Sequence, residues 1–233
     1  MRVAYKSLRA NLSRSALTIL GLSIGVGASI AIGSLGMAAV GEVRKEMGRF
    51  GGDRLWIAES AGNQTRVSAE DVSALGGVGS NVAPMCYDAL RAVNGARSTL
   101  CQVVATTADY AGVENFVLDS GRFLMEQDEE NLLRTVVIED ILKEDLFGGQ
   151  DCLGEKITLG DTRYTVVGVI QTQYSEYFTN DGRPKAYVPV TTYQQVTGKT
   201  ALDEIIVRAE GKSVSLAASQ AKAALKTMHA QGD

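Results

Sequence analysis

Few side chains in this sequence have the types and the spacing that support catalysis. The sole histidine, His229, lies near the end of a predicted C-terminal helix, where a solvated cation suits the helix dipole. The sequence places no nucleophile or carboxylate in an arrangement with it. The chain also has no P-loop, no G-x-G-x-x-G motif and no zinc-type cysteine pair. We therefore predict that the protein is not an enzyme and uses no cofactor.

A run of acidic residues is the second candidate for chemistry. Its carboxylates suggest a cation site at first sight: Glu126, Asp128, Glu129 and Glu130. A calcium loop needs oxygen ligands at alternating positions and a glycine at its sharp turn, and this run lacks that pattern. We therefore predict a solvated acidic turn and no metal site.

Two of the three cysteines lie on a predicted hairpin. Asn94-Gly95 is the strongest short hairpin signal in the sequence. If these two residues form the turn, Cys86 faces Val103, and Cys101 is the diagonal neighbour of Cys86 on the same face. Diagonal pairs are farther apart than directly opposed ones, and a disulfide tolerates a narrow range of distances. A Cys86–Cys101 disulfide and free, buried cysteines therefore both stay open.

A long apolar segment lies near the N-terminus and predicts where the chain is anchored. No charged residue occurs between Ser15 and Gly41. Roughly 20 such residues cross the ~30 Å hydrocarbon core of a bilayer, and a helix crosses it with every backbone amide satisfied. We therefore predict one transmembrane helix over residues 16–40. A cleaved signal peptide is the alternative, but its apolar region would be only about 7–15 residues long.

The distribution of charge predicts the orientation of this helix. The first fifteen residues carry a charge of +4 and the whole chain carries −4, so the remaining residues carry −8. Because Lys and Arg accumulate in cytoplasmic segments, we place the N-terminus in the cytoplasm and the bulk of the chain outside the cell (inner or plasma) membrane. Disulfides can persist on that side. The acidic outer part argues against binding to nucleic acid.

Small residues recur at every fourth position on one face of the predicted helix. They are Gly21, Gly25, Ser29 and Gly33. Small side chains let a second helix approach closely in lipid, so this pattern predicts a helix-packing face. The general frequency of glycine in membrane helices is the alternative explanation. The helical spacing of apolar residues continues to Phe50, which predicts a stalk that ends at Gly51-Gly52.

The outer part has the pattern of an α+β fold. A strand over residues 54–59 and a helix capped by Ser68 come first. A strand over residues 204–209 and a final helix come last. The block between them is rich in strands and contains a second hairpin around Gly160-Asp161. We predict a small α/β domain that is made from both ends and split by a β-rich insertion.

Several segments resemble one protein family in the same order. Residues 5–36, YKSLRANLSRSALTILGLSIGVGASIAIGSLG, resemble the first transmembrane segment of MacB-type ABC transporter permeases, within the FtsX superfamily. Five later segments resemble the extracytoplasmic core domain of that family. They are NVAP (81–84), DSGRFLMEQDE (119–129), DLFGG (145–149), LGEKITLGDTRYTVVGVI (153–170) and AYVPVTTY (186–193).

The resemblance implies a division into domains. Residues 1–52 would hold the cytoplasmic N-terminus, the membrane helix and the stalk. An extracytoplasmic porter-like domain would occupy residues 53–106 and 200–233, split by an inserted β-rich, Sabre-like subdomain at 107–199. The family has further transmembrane segments after this domain. We therefore expect the second porter-like part to be truncated and the native gene to continue.

The resemblance also implies a function. Permeases of this family pass the ATPase cycle from the cytoplasm to their outer domain, a mode called mechanotransmission, to export or extrude peptides, drugs or lipoproteins. The implied partners are a separate cytoplasmic ABC ATPase, a second permease copy in a homodimer, an adaptor (membrane-fusion) protein and the lipid bilayer. The alternative is a membrane-anchored binding or sensor domain, or a regulator of cell-wall hydrolases, without transport.

The predicted topology is testable in intact cells. We expect a membrane-impermeant thiol reagent to label Asn63→Cys, which is predicted to lie outside, and to leave the cytoplasmic Ser7→Cys unlabelled. Permeabilised cells are the control, because both variants should react there. Labelling of Ser7→Cys alone in intact cells would contradict both the orientation and the family resemblance.

Overall fold

The structure is a computed structural model of the chain. It describes residues 16–30, 54–58, 67–79, 81–114, 116–172, 182–209 and 214–230. The chain divides into two units, Met1–Gly52 and Asp53–Asp233.

The first unit contains helix α1, residues 16–30. Every described side chain of α1 is exposed, and the large apolar ones are Leu17, Ile19, Leu20, Leu22, Ile24, Val26 and Ile30. Within the described ranges, no helix combines the length and the apolar character that crossing a membrane requires. Residues 31–40 of the predicted span, including Gly33, and the predicted stalk lie outside the described residues.

The second unit is α+β, as predicted. Its described strands are β1 (Arg54–Ala58), β2 (Val82–Asn94), β3 (Arg97–Thr106), β4 (Leu118–Gly121), β5 (Thr135–Glu139), β6 (Lys156–Leu159), β7 (Thr162–Ile170), β8 (Lys185–Pro189) and β9 (Glu204–Arg208). Its described helices are α2 (Ala69–Leu75), α3 (Tyr110–Val113), α4 (Glu126–Glu130), α5 (Asp140–Phe147), α6 (Val190–Thr197) and α7 (Val214–Ala230).

Three strands form an open sheet in which the two ends of this unit meet. Strand β9 lies between β1 and the first four residues of β2, and it is antiparallel to both. Helix α2 contacts β2 and helix α7, and helix α7 contacts β1. Residues that are far apart in the sequence therefore build one layer of sheet and helix.

Six strands close into a barrel. Pairing runs from β2 through β3, β8, β5, β7 and β6, and β6 returns to the C-terminal end of β2. Strand β4 pairs with β7 outside this ring. Closure leaves the six strands without the open edges of a flat sheet. Both β2 and β3 precede the predicted domain boundary at residue 106, so that boundary falls between strands of one barrel.

Two apolar clusters fill the second unit. All six barrel strands contribute to the first cluster, which therefore occupies the barrel interior and continues to Leu75 of α2 and Ala217 of α7. The second cluster lies on the other face of part of the barrel and of the open sheet. It includes Val104, Tyr187 and Ile206. Strand β2 contributes to both clusters, so the barrel and the open sheet share their core.

The first hairpin has a different register from the predicted one. Asn94 pairs with Arg97, so Gly95 and Ala96 form the turn, and Cys86 faces Ala105 instead of Val103. Gly95 has a φ of +59°, which suits the first central position of a type II′ turn. The turn therefore begins one residue later than predicted, and the register moves by two.

This register separates the two cysteines that were predicted as a disulfide. Cys101 faces Leu90, which lies four residues along β2 from Cys86. Four residues of a strand span about 13 Å, whereas the Cα atoms of a disulfide are at most about 7 Å apart. Both thiols are free and buried, and they donate to different carbonyls, Cys86 to that of Ala201 and Cys101 to that of Leu90. The structure therefore replaces the Cys86–Cys101 pairing with the free, buried alternative.

Two other local predictions are confirmed. The Ser68 hydroxyl accepts a hydrogen bond from Asp71 N at 3.4 Å, and the Asp71 carboxylate accepts one from Ser68 N at 2.9 Å, which completes a capping box for α2. Leu159 pairs with Thr162, so Gly160-Asp161 forms the predicted turn of the second hairpin.

A glycine pair sets how closely β4 approaches β7. Gly121 faces Gly168 across this ladder. A Cβ atom on Gly168 would lie 2.0 Å from the carbonyl oxygen of Arg122. Because that oxygen belongs to the backbone, it cannot move away without moving the chain after β4, and glycine is required at residue 168.

Substitution of Gly168 tests this close approach. We expect Gly168→Ala to lower the free energy of unfolding by about 2–3 kcal/mol, because the methyl group overpacks the β4–β7 contact. Gly77→Ala is the matched control, since a Cβ there meets no atom of the described residues within 4 Å. It should change stability by less than about 0.5 kcal/mol. Urea unfolding of the detergent-solubilised chain, followed by circular dichroism, measures both, and equal midpoints would contradict the packing.

Candidate functional site

The residues singled out from the sequence lie in separate parts of the structure. The described members of the predicted helix-packing face lie in α1: Gly21, Gly25 and Ser29. Cys86 and Cys101 belong to the core that fills the barrel. His229 lies in the last turn of α7, and its side chain is outside the described residues. In the described part of the chain, no group of three or more His, Cys, Asp or Glu residues is placed to hold a metal ion.

The acidic run is not the solvated turn that the sequence predicts. It forms helix α4, and Asp128 within it is 1% exposed. Arg122 donates two hydrogen bonds to the Asp128 carboxylate, at 2.6 and 2.9 Å, and Met125 N donates a third at 3.0 Å. Burial opposes ionisation, but the bonds from Arg122 and Met125 hold the pKa of Asp128 below its usual value. Asp128 is therefore a buried, ionised residue that fixes the local backbone.

A polar cluster lies where β2 leaves the open sheet and enters the barrel. The chain that returns from α6 to β9 crosses β2 at this point. Asp203 N donates to the carbonyl of Met85 at 2.9 Å, and Tyr87 N donates to the Asp203 carboxylate at 2.7 Å. The Tyr87 hydroxyl lies 3.1 Å from Oε2 of Glu204 and donates to it. These bonds tie the returning chain to β2.

Asp88 is the centre of this cluster. Its Oδ2 accepts hydrogen bonds from the Tyr193 hydroxyl at 2.9 Å and from Lys199 Nζ at 2.8 Å. Tyr193 comes from α6, and Lys199 follows Gly198, the C-cap of that helix. Tyr193 is 2% exposed, whereas the Lys199 side chain is 57% exposed, so the contacts run from the core to solvent. We call Tyr87, Asp88, Tyr193, Lys199 and Asp203 the Asp88 junction.

Three groups of the Asp88 junction, Asp88, Tyr193 and Lys199, have shifted pKa values. Burial opposes ionisation of Asp88, but the hydrogen bonds from Lys199 and Tyr193 hold its pKa below the usual value. Hydrogen bonds to Asp88 and Tyr193 raise the pKa of Lys199 to about 12. Burial, with the bond to Asp88, raises the pKa of Tyr193 to about 12. Asp88 and Lys199 are therefore oppositely charged at neutral pH, and with Tyr193 they form a hydrogen-bonded clamp between β2 and the end of α6.

Sequence reasoning missed the Asp88 junction. Asp88 is separated from Tyr193 by 105 residues and from Lys199 by 111 residues, and no helical or strand period connects such positions. The one local signal is Gly198, whose φ of +71° ends α6 and directs the chain toward β2. A glycine at residue 198 predicts the end of a helix, but it does not predict that Lys199 pairs with Asp88.

The sequence of the chain is similar to those of known proteins. Residues 15–224 match the family model described as MacB-like periplasmic core domain. The chain is 30% identical over 223 residues to the macrolide export ATP-binding/permease protein MacB of Azoarcus sp. (strain BH72), covering 91% of this chain and 34% of that protein. The protein of the same name from Wolinella succinogenes is 29% identical over 202 residues, covering 82% and 31%. The chain thus spans about a third of the length of these curated relatives.

Solved structures have the same fold. The periplasmic region of MacB from Actinobacillus actinomycetemcomitans superposes with a TM-score of 0.66 at 21% identity, covering 77% of this chain and 86% of that one. The extracellular domain of the noncanonic ABC-type transporter YknZ from Gram-positive bacteria gives a TM-score of 0.58 at 20% identity, covering 73% and 86%. At these sequence identities, the two structures show that the fold is shared.

The clamp at Asp88 predicts a pH-dependent difference in stability. We expect Asp88→Asn to lower the free energy of unfolding at pH 7 by about 1 kcal/mol, because Lys199 loses its ionic partner. The pKa of Asp88 is lower in the folded chain. Its contribution is therefore present above the usual carboxyl pKa and is lost as the pH falls through the folded value.

The difference between the wild type and Asp88→Asn should therefore shrink toward zero as the pH falls below about 4. Urea unfolding at a series of pH values measures it. Asp145→Asn is the control, since Asp145 is exposed on α5. A difference for Asp88→Asn that is constant with pH, or equal to that of the control, would contradict the clamp.

Proposed function

Because the chain belongs to the MacB-like periplasmic core domain family, we propose that it couples ATP hydrolysis in the cytoplasm to movement of its outer unit, residues 53–233. A separate ABC ATPase subunit would hydrolyse the ATP. The movement would export or extrude a peptide, a drug or a lipoprotein-like substrate. The observation that carries this proposal is that one family match covers both the apolar helix α1 and the outer unit.

The surface of α1 supports a location in the membrane. The helix contains no charged residue, and the exposed fractions of Leu17 and Leu22 are both 72%. Leaving apolar surface in water costs about 25 cal/mol per Å², a cost that lipid removes. We therefore place residues 16–40 in the inner or plasma membrane as a single span. The charge of +4 on the first fifteen residues favours a cytoplasmic N-terminus.

The small-residue face of α1 supports a homodimer. Among the described residues, no atom lies within 4 Å of a Cβ atom placed on Gly21 or Gly25, so this face has room for another helix. The Ser29 hydroxyl donates to the carbonyl of Gly25 at 2.9 Å, which satisfies it within the helix. Such a face lets two helices approach closely in lipid. We propose that the second helix comes from another copy of the chain, and that an adaptor protein contacts the outer unit.

Within the outer unit we propose a porter-like part and a Sabre-like part. The porter-like part is the open sheet with α2 and α7, and the Sabre-like part is the barrel with its attached helices. Strand β2 and the chain from α6 to β9 connect the two parts, and the Asp88 junction bonds these connections to each other. A displacement of the porter-like part would then reach the Sabre-like part through these hydrogen-bonded connections. This arrangement favours joint movement of the two parts over independent movement.

The stalk provides the test of this coupling. We expect insertion of two glycines after Glu46 to abolish the ATP-dependent distance change between spin labels on two outer units, while ATP hydrolysis continues. Each glycine weakens a helix by roughly 1 kcal/mol, and two added residues rotate a continuous helix by about 200°. The measurement is electron paramagnetic resonance on the full-length permease with its ATPase, beside an assay of ATP hydrolysis.

Two controls make this result specific. Insertion of seven alanines at the same place adds about two helical turns, so it keeps the direction of the outer unit and should preserve the distance change. His229→Ala should leave both measurements unchanged. A normal distance change with the glycine insertion, or its loss in His229→Ala at normal expression, would contradict mechanical coupling through the stalk.

A further inference from the structure

Leu132 has an unusual backbone conformation. Its φ is +51°, which makes it the only non-glycine residue with a positive φ in the described ranges. It follows α4, where Leu133 N donates to the carbonyl of Asp128 at 2.8 Å and Leu132 N donates to that of Glu129 at 3.2 Å. This is the Schellman pattern, whose left-handed residue is usually glycine. A leucine there carries a steric cost that must be offset by some other benefit.

Burial does not supply that benefit. Leu132 is 41% exposed, and the neighbouring Leu133 and Met125 are 42% and 45% exposed. Met125 N donates to the carboxylate of Asp128 and Leu133 N donates to its backbone carbonyl. The backbones of these two residues therefore lie close together. We call Met125, Leu132 and Leu133 the apolar knob. Large apolar side chains that gather at the surface mark sites of contact with another molecule.

The backbone of the apolar knob is held in place before any contact is made. The carbonyl of Glu129 accepts a hydrogen bond from Thr191 at 3.1 Å, and that of Leu133 accepts one from Thr192 at 3.0 Å, both from α6. The Glu129 carboxylate accepts a third from Ala108 N at 2.8 Å. A surface that is ordered in advance loses less conformational entropy when it binds.

Acidic side chains surround the apolar knob. Glu126 and Glu130 lie on α4 between its residues and are exposed, as is Asp109. Burial, followed by repulsion from Asp109, Glu126 and Asp128, raises the pKa of Glu129. Arg122 pairs with Asp128, and Arg134 is exposed directly after Leu133, so acidic side chains outnumber basic ones around the apolar knob. A partner must therefore offer both apolar surface and positive charge.

We propose that the apolar knob is a docking site for a basic amphipathic helix of a partner protein. The apolar stripe of that helix would cover Met125, Leu132 and Leu133, and its Lys or Arg flanks would pair with Glu126 and Glu130. The same surface of a second copy would bring like charges together, and an anionic lipid surface would do the same. Charge therefore favours a basic partner over both.

Leu132→Gly separates docking from folding. Glycine adopts a positive φ without steric cost, so the melting temperature of this variant should stay the same or rise. Docking should fall, because the central side chain of the knob is gone. A residue that served only the fold would show the opposite result.

The probe is an amphipathic 18-residue peptide of Leu and Lys with one benzophenone amino acid on its apolar face. We expect it to photo-crosslink to residues 122–134 of the full chain in zwitterionic detergent, as mapped by mass spectrometry. The yield should fall at least tenfold in Leu132→Gly and in Met125→Ser. Leu216→Ser is the matched control, because Leu216 is 48% exposed on α7, and its yield should not change. A peptide with serine in place of leucine should not crosslink there.

Several results would overturn the proposal. They are an undiminished yield in Leu132→Gly, an equal loss in Leu216→Ser, equal crosslinking by the serine peptide, and a lower melting temperature for Leu132→Gly. A benzophenone amino acid in place of Leu132 that crosslinks two copies of the chain would assign the knob to self-association instead. The assay needs no ATPase, so its outcome is independent of the proposed transport function.

Discussion

The pairing of one strand with two different sheets is the constraint on which the outer unit depends. The first four residues of β2 pair with β9, and the remaining nine pair with β3. Because side chains alternate between the faces of a strand, a slip of one residue would exchange the side chains of β2 between its two faces, in the barrel and in the open sheet at once. Ala83 and Met85 in one cluster and Cys86 and Ala92 in the other fix this register together.

The polar contacts around β2 follow from that constraint. The switch between sheets occurs at Met85 and Cys86, and the Asp203 carboxylate accepts the backbone N–H of Tyr87 just beyond it. Asp88 then accepts hydrogen bonds from Tyr193 in the core and from Lys199 at the surface. An ionised carboxylate with two donors is stable at this half-buried position, whereas an unpaired one would not be. The same bonds connect the two parts that the proposed movement must link.

Two surfaces of the chain expose several large apolar side chains. Helix α1 suits lipid, because its exposed side chains are uncharged along its described length. The apolar knob differs because acidic residues surround it, which suits a basic protein surface and disfavours anionic lipid. The two surfaces therefore differ in the chemistry of the partner that suits them.

The sequence by itself determined what depends on neighbours in the chain. The apolar stretch from Ser15 to Gly41, the capping box at Ser68 and the turn at Gly160-Asp161 are all local, because composition, side-chain-to-backbone bonds and turn chemistry act over a few residues. Together with the ordered resemblance of its segments, these features were enough for the α+β class and the family.

Tertiary structure alone decided the rest. The register at Asn94 and Arg97, the closure of the barrel, the burial of Asp128 and the meeting of Asp88 with Lys199 depend on contacts between distant residues. A carboxylate in a polar stretch looks the same in the sequence whether it faces water or Arg122, because only packing brings the guanidinium to it.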